Sequence, residues 1–494
     1  MFRREFFKSP MALAGIMLGR PALALPIPED EFPKSPGLTK YVSEFIVNAK
    51  YEDIPEDVIT LGKKTILDGF GLALAGSAST ASPRMRKYIE TLGLSGGQSS
   101  IIGTGMKVPP RFAALANGVS IHSDDYDDTG SSLHVAAPVL SPAFALCESA
   151  QRSGKDLMLA FHVGVEVASK IGDAISPRHN EEGFHTTGTI GSFGSAAASA
   201  KLRGLDARQT AYALGLAASQ ASGIRDNFGS MTKPFHAGHA AENGIVAADL
   251  IALGWTAADD VLEAPLGFFR AAGGRFDPIL IKDCLGKPWM FRSPGDLIKR
   301  FPCGTIQQSV MDEMLNLIQR NNIRAADVEK VDVGGNQSNF NTLFRHRPTT
   351  GLEAKFSMEF SVAILLLERK AGLDQFTDAV VQRPDVQDMI RRVNFYVDPE
   401  SGKRASTTDN FLAVLVDSNL LNIHMKNGNV LTSRTGFAKG SPKNPMTYEE
   451  IADKFLGNAE FAKWPAQKSK LMIEAVKGLE REPNLRRITS ALTT

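Results

Sequence analysis

The hydrophobic period changes twice along this chain, and those two changes limit the folds open to it. From about residue 36 to 270, apolar residues recur at helical spacing. Val58, Ile59, Ile66, Leu67, Phe70 and Leu74 make one stripe, as expected where every third or fourth side chain must face a core. Asp53 just before Pro55 predicts a helix start with proline in the first turn. Asp206 and Gln209 read as a capping box ahead of the apolar run Ala211–Ala221. Beyond about residue 275 the pattern alternates instead. Val331-Asp332-Val333 and Val393–Val397 alternate, Leu412–Val416 and Leu421–Met425 read as strands, and Asn427-Gly428 marks a hairpin turn. Helical stretches such as Ile306–Gln319 lie between them. After Gly440 helical spacing returns, with Thr447 and Glu450 as another capping box. The pattern predicts a mainly α protein with an α+β insert. A large helical domain is expected over residues 36–272 and 436–494, and a smaller α+β domain over 273–435. The total of 494 residues is long enough for two cores. A cleft between them is the expected substrate site.

Gly191–Ala200 is nearly all Gly, Ala and Ser. Without long apolar spans around it, this predicts close helix packing inside a soluble domain and no membrane insertion. Lys+Arg total 55 against 54 Asp+Glu, a net charge of +1, which gives no basis for binding nucleic acid or an anionic membrane. The three cysteines, Cys147, Cys284 and Cys303, are far apart and lack a C-x-x-C. A cysteine-held zinc or iron–sulfur centre is therefore not expected, and neither is a disulfide framework.

Residues 1–25 read as a twin-arginine export signal. Arg3-Arg4 precede hydrophobics and Lys8, Met11–Leu18 is a short apolar stretch, and Ala22-Leu23-Ala24 resembles a cleavage site. The expected location is periplasmic; a disordered basic N-terminus on a cytoplasmic protein is the alternative.

Five stretches carry chemistry. The first runs from His122 through Asp124-Asp125-Tyr126-Asp127-Asp128-Thr129 to His134. Four acids in five positions repel unless something balances them. The same residues match a magnesium-binding D-D-x-x-D, but no second Asn/Ser/Glu metal motif follows. An acidic loop bonded to backbone donors is the plainer alternative. The second stretch is Gly183-Phe184-His185-Thr186-Thr187-Gly188, which sets an imidazole at the start of the small-residue helix. The third is Lys233-Pro234-Phe235-His236-Ala237-Gly238-His239. Lys233 suits a carboxylate, whereas His236 and His239 lack the acid of a zinc motif. The fourth and fifth are Lys299-Arg300-Phe301-Pro302-Cys303-Gly304 and Gly351–Ser357, the latter preceded by Arg345, His346 and Arg347.

In this order, across roughly residues 40–465 and including Lys439-Gly440-Ser441-Pro442, the stretches resemble the MmgE/PrpD family. The resemblance implies a helical domain with an α+β lid, a homodimer, and no metal or organic cofactor. It implies a small polycarboxylate substrate that is dehydrated, decarboxylated or epimerised. His134, His185 and Asp125 match the catalytic segments. Thr129, Lys233 and Lys299, with His236, Arg345 and Arg347, would bind substrate. An imidazole suits proton removal beside a carboxylate, and cations suit the carboxylates themselves. The chain departs from the family in four places: Gly130 after Thr129, Val135 after His134, Gly304 where decarboxylase-like members carry His, and Phe360 where many carry Tyr.

The leading expectation is a cofactor-independent dehydratase-like lyase. Rival readings are an epimerase or decarboxylase, a non-catalytic polycarboxylate binder, and a magnesium-dependent isoprenoid-synthase-like enzyme. For the export signal, replacing Arg3 and Arg4 with Lys should strand the precursor in the cytoplasm. Wholly cytoplasmic wild-type protein with an intact N-terminus would refute the signal.

Overall fold

The structure, a computed structural model, describes residues 32–94, 96–130, 132–401 and 418–494. The export segment and Leu412–Val416 lie outside the described residues.

Helical periodicity becomes a stack of helices around one large core. The helices that frame the site are α1 (Glu56–Ala78), α2 (Pro110–His122), α3 (Ala136–Ser149), α4 (Gly154–Ile175), α5 (Thr186–Arg203), α6 (Ala207–Gln220) and α7 (Thr232–Ala252). Pro55 directly precedes α1, with Asp53 in a short 3-10 turn before it. Asp206 caps α6 by accepting from the Gln209 amide at 2.8 Å. The core continues past residue 275, taking in Trp289, Phe291 and Ile298, and later regains Phe455 and Ile488.

Small residues let α7 run against both α2 and α5. A Cβ at Gly118 of α2 would lie 2.8 Å from the Gly238 Cα, and one at Gly244 would lie 2.2 Å from the carbonyl carbon of Ser195 on α5. Such approaches exclude any side chain. No helix among the described residues is long and apolar enough to cross a membrane.

Apart from Phe228, the second core is built from Phe301 onward, in the chain segment that follows Ile298, so Lys299 sits at the crossing. It packs α8 (Gln308–Arg320), α9 (Gln337–Thr342) and α10 (Met358–Glu368) with a four-stranded sheet of β1 (Val328–Gly335), β2 (Val393–Val397), β3 (Leu420–Met425) and β4 (Val430–Arg434). The order is β2-β1-β3-β4, with β1–β2 parallel and the other pairs antiparallel. Register brings Val331 opposite Val393 and Ile423, and Val333 opposite Phe395 and Leu421, all buried. Alternation thus gives the sheet its apolar face. Gly428, with φ +86°, makes the predicted turn between β3 and β4. The chain then returns to the helical domain at α11 (Tyr448–Phe461), where Thr447 accepts from the Glu450 amide.

Gly244→Ala should lower stability by about 1–3 kcal/mol, because an inserted methyl must push backbone apart. Gly457→Ala on the exposed face of α11 meets nothing within 4 Å and should stabilise by up to about 1 kcal/mol. Urea unfolding of both variants distinguishes close approach from helix propensity; equal effects would contradict it.

Candidate active site

The site is built on the turn between α2 and α3. α2 ends at His122, and Asp125 then takes a left-handed backbone conformation (φ +51°). Thr129-Gly130 pair antiparallel with Asp296-Leu297, and α3 begins at Ala136. The four acids of this turn are dealt to different partners. Asp124 accepts from the Ser79 hydroxyl at 2.5 Å and lies 3.4 Å from the Lys355 ammonium. Asp127 accepts from His122 Nδ1 at 2.7 Å. Asp128 accepts from the amides of Val135 and Ala136 at 2.9 and 3.0 Å, closing the start of α3. Burial, with Asp296 and Asp127 nearby, pushes Asp128 well above the usual carboxylate range.

Asp125 takes the strongest partners. Its Oδ1 accepts from Lys233 Nζ at 2.8 Å and Lys299 Nζ at 2.9 Å, and its carbonyl takes a second Lys299 bond at 2.9 Å. All three side chains are buried. Burial opposes the Asp125 charge, but the two ammoniums outweigh it and hold the carboxyl well below its usual range. Lys233 also donates to His122 Nε2 at 2.9 Å, so His122 is neutral with its proton on Nδ1. Lys233 further lies 5.3 and 5.5 Å from the ring centroids of Phe228 and Phe356.

His134 approaches the Asp128 carbonyl through Nδ1 at 2.6 Å. A carbonyl only accepts, so Nδ1 carries the proton and Nε2 keeps its lone pair. Burial pulls this imidazole down to about 3; Asp127 opposes that, and Lys299 and Lys233 reinforce it. His185 is lowered well below its ordinary value by burial and then by Lys233. Its Nδ1 lies 3.1 Å from His236 Nδ1, and its Nε2 has no protein partner among the described residues.

Asp125, Thr129, His134, His185, Lys233 and Lys299 converge on one cavity of about 190 Å³. His236 stands behind His185. Arg345 and Arg347 do not line it. Arg345 lies 3.9 Å from Glu353, and Arg347 donates to the carbonyls of His346 and Ile390. Gly304 does line the cavity, whereas Phe360 is buried in the lid core beside Phe376. Cys303 is likewise buried packing, its thiol pushed up by burial. Sequence reasoning missed His122, which only closed the helix before the acids, and Arg225, a lone arginine in a turn. It also missed Thr305, whose hydroxyl meets that of Thr129 at 2.7 Å across the two domains.

His122, Asp125 and His134 each offer a ligand atom within 4.8 Å of the others. A cation there would compete with two ammoniums already on Asp125 and would need the His122 nitrogen that Lys233 occupies. The acid cluster therefore does not form one oxygen-rich magnesium shell. A larger hollow, about 510 Å³, lies near Arg300 and Lys439. Both cations are paired there, with Asp312 and Glu450, and among the described residues no imidazole borders it.

Residues 40–280 match the MmgE/PrpD N-terminal domain and residues 301–478 the MmgE/PrpD C-terminal domain. The chain is 28% identical over 466 residues to the cis-aconitate decarboxylase of Homo sapiens, covering 90% of this chain and 92% of that one. It is 29% identical over 448 residues to the cis-aconitate decarboxylase of Aspergillus terreus, covering 85% and 88%. The Mus musculus protein of the same name is 26% identical over 445 residues, covering 85% and 86%.

The buried imidazoles fix a pH dependence. An unfolded histidine titrates near 6.5 and folded His134 near 3. Between those values the unfolded chain binds the extra proton, so stability is fully present above pH 6.5 and is lost as pH falls toward 3. His122 and His185 shift in the same direction. The melting temperature should therefore fall below pH 6.5, and less steeply in His134→Gln; identical slopes would contradict this.

Proposed function

This chain belongs to the MmgE/PrpD family, and on that premise we propose that it is a cofactor-independent lyase that uses acid–base chemistry on a small di- or tricarboxylic acid. The observation that carries the reading is His134. Its Nδ1–H is tied to a backbone carbonyl, its Nε2 lone pair is left free, and its ring borders a cavity that also holds Lys233 and Lys299. Before substrate enters, His134 is neutral, and the carboxylates of an entering substrate offset the two ammoniums that depress its basicity. The imidazole can then remove a proton from a carbon next to a bound carboxylate while the cations stabilise the charge that develops on the carboxylate oxygens.

For dehydration the steps balance as follows. His134 Nε2 takes the C–H proton. The electron pair forms the double bond as hydroxide leaves the neighbouring carbon. His185, whose Nε2 has no protein partner among the described residues, takes up a proton when the anion enters and gives it to the departing hydroxide, releasing water. An entering polyanion raises the proton affinity of an imidazole otherwise depressed by burial and Lys233. Asp125 holds both ammoniums in place.

Decarboxylation is the second reading, favoured by the relatives named cis-aconitate decarboxylase. Gly304 weighs against it: the residue borders the cavity without a side chain to donate a proton, and a Cβ there would lie 2.7 Å from Gln307 Oε1. Phe360, buried away from the cavity, bears on neither reading. A homodimer and export of the folded enzyme belong to the same proposal.

The test is to incubate purified protein, with and without EDTA, with hydroxy-tricarboxylates and cis-aconitate, following water loss, carbon dioxide release and racemisation together. Chelator-resistant water loss is expected, with His134→Ala slowing turnover by about 10²–10⁴-fold and Lys233→Ala mainly raising KM. Rapid itaconate formation from cis-aconitate would replace dehydration by decarboxylation. Binding without turnover would make the protein a binder, and full turnover by His134→Ala would remove His134 as the base.

A further inference from the structure

Three cations border the cavity, and they are not equivalent. Lys233 and Lys299 share the Asp125 carboxylate, so that buried group carries one net positive charge. Arg225 has no such partner. Its Nη1 donates to the Asn180 carbonyl at 2.8 Å and its Nη2 to the Thr342 hydroxyl at 3.1 Å. Among the described residues no carboxylate lies within ion-pair distance of it. The two oxygens it contacts satisfy hydrogen-bond geometry but not charge, and they occupy two of five guanidinium donors.

Arg225 is nonetheless held in place. Its amide donates to the Gly183 carbonyl at 2.9 Å, Ile224 pairs with Phe184, and its guanidinium lies 5.9 Å from the Phe228 ring centroid. The same ring faces Lys233. Thr342 belongs to α9 of the lid, which also supplies Ser338 and Asn339 to the cavity. A positioned guanidinium at the seam, with Glu181 acting on it only from beyond ion-pair distance, presents a planar donor fork that matches a carboxylate.

We propose that Arg225 is the second carboxylate anchor of this pocket, selecting acids whose carboxylates reach both it and the Lys233–Asp125–Lys299 cluster. The inference rests on the reading of the site as a polycarboxylate pocket and names the residue that makes a second carboxylate matter. It also assigns Thr342 the task of aiming the guanidinium from the lid.

The experiment is calorimetric titration of wild type, Arg225→Gln, Arg225→Lys and Thr342→Val with tricarballylate, glutarate and butyrate, which carry three, two and one carboxylates. Wild type should bind them in that order. Arg225→Gln should weaken tricarballylate by about 10–100-fold, the worth of a hydrogen bond to a charged group, while leaving butyrate nearly unchanged. Arg225→Lys should recover part of the loss, and Thr342→Val, which keeps the charge but removes the hydroxyl that aims it, should weaken tricarballylate by less than Arg225→Gln while leaving butyrate nearly unchanged. Equal weakening of all three acids, or none, overturns the role of Arg225 alone. Failure of wild type to bind any of them overturns the polycarboxylate reading and this inference with it.

Discussion

One buried carboxylate, Asp125, organises this molecule. It sits between two buried ammoniums, from α7 and from the chain as it crosses into the lid. Taking three charges out of water is costly, and the arrangement holds because both ammoniums bond to Asp125 Oδ1, although Oδ2 is buried without a partner among the described residues. Removing one member of such a buried set typically costs about 3–5 kcal/mol, because the remaining charges are left unpaired. The left-handed backbone at Asp125 adds about 1–3 kcal/mol of strain. The same turn that costs this strain puts His122, Asp127 and His134 around one point.

The turn depends in turn on the helices beneath it. Lys233, near the start of α7, reaches Asp125 because α7 can lie directly on α2, glycine against glycine. A larger residue at Gly118 or Gly238 would widen that contact, and the 2.8 Å bond between ammonium and carboxylate would lengthen with it. The small-residue packing is therefore a condition of the electrostatics, not only of stability.

The pocket is a property of the seam. The helical domain contributes the imidazoles and Asp125, while the lid contributes Gly304, Thr305 and α9. Thr129 and Thr305 join the two sides through their hydroxyls, and Arg225 joins them through Thr342. A ligand that drew on both sides would hold them together and exclude water from the imidazoles, and charge interactions are stronger in such a site.

Periodicity, capping residues and the Asn-Gly turn were legible in the chain itself. α6, α11 and the β3–β4 hairpin stand where Asp206, Thr447 and Asn427-Gly428 predicted them, because these signals act over a few residues. The types of the functional groups, imidazoles and lysines near an acid-rich turn, could be read there too. Their assembly could not. His122 headed the acid-rich stretch without a role of its own and Arg225 carried no motif, yet one closes the Lys233 network and the other borders the cavity. Arg345, Arg347 and Phe360 lie near functional stretches in sequence but do not line the cavity. Local order follows from neighbours along the chain, whereas membership of the pocket depends on which distant side chains meet. Lys299 and Asp125, 174 positions apart, meet only once two cores have formed and the chain has crossed between them.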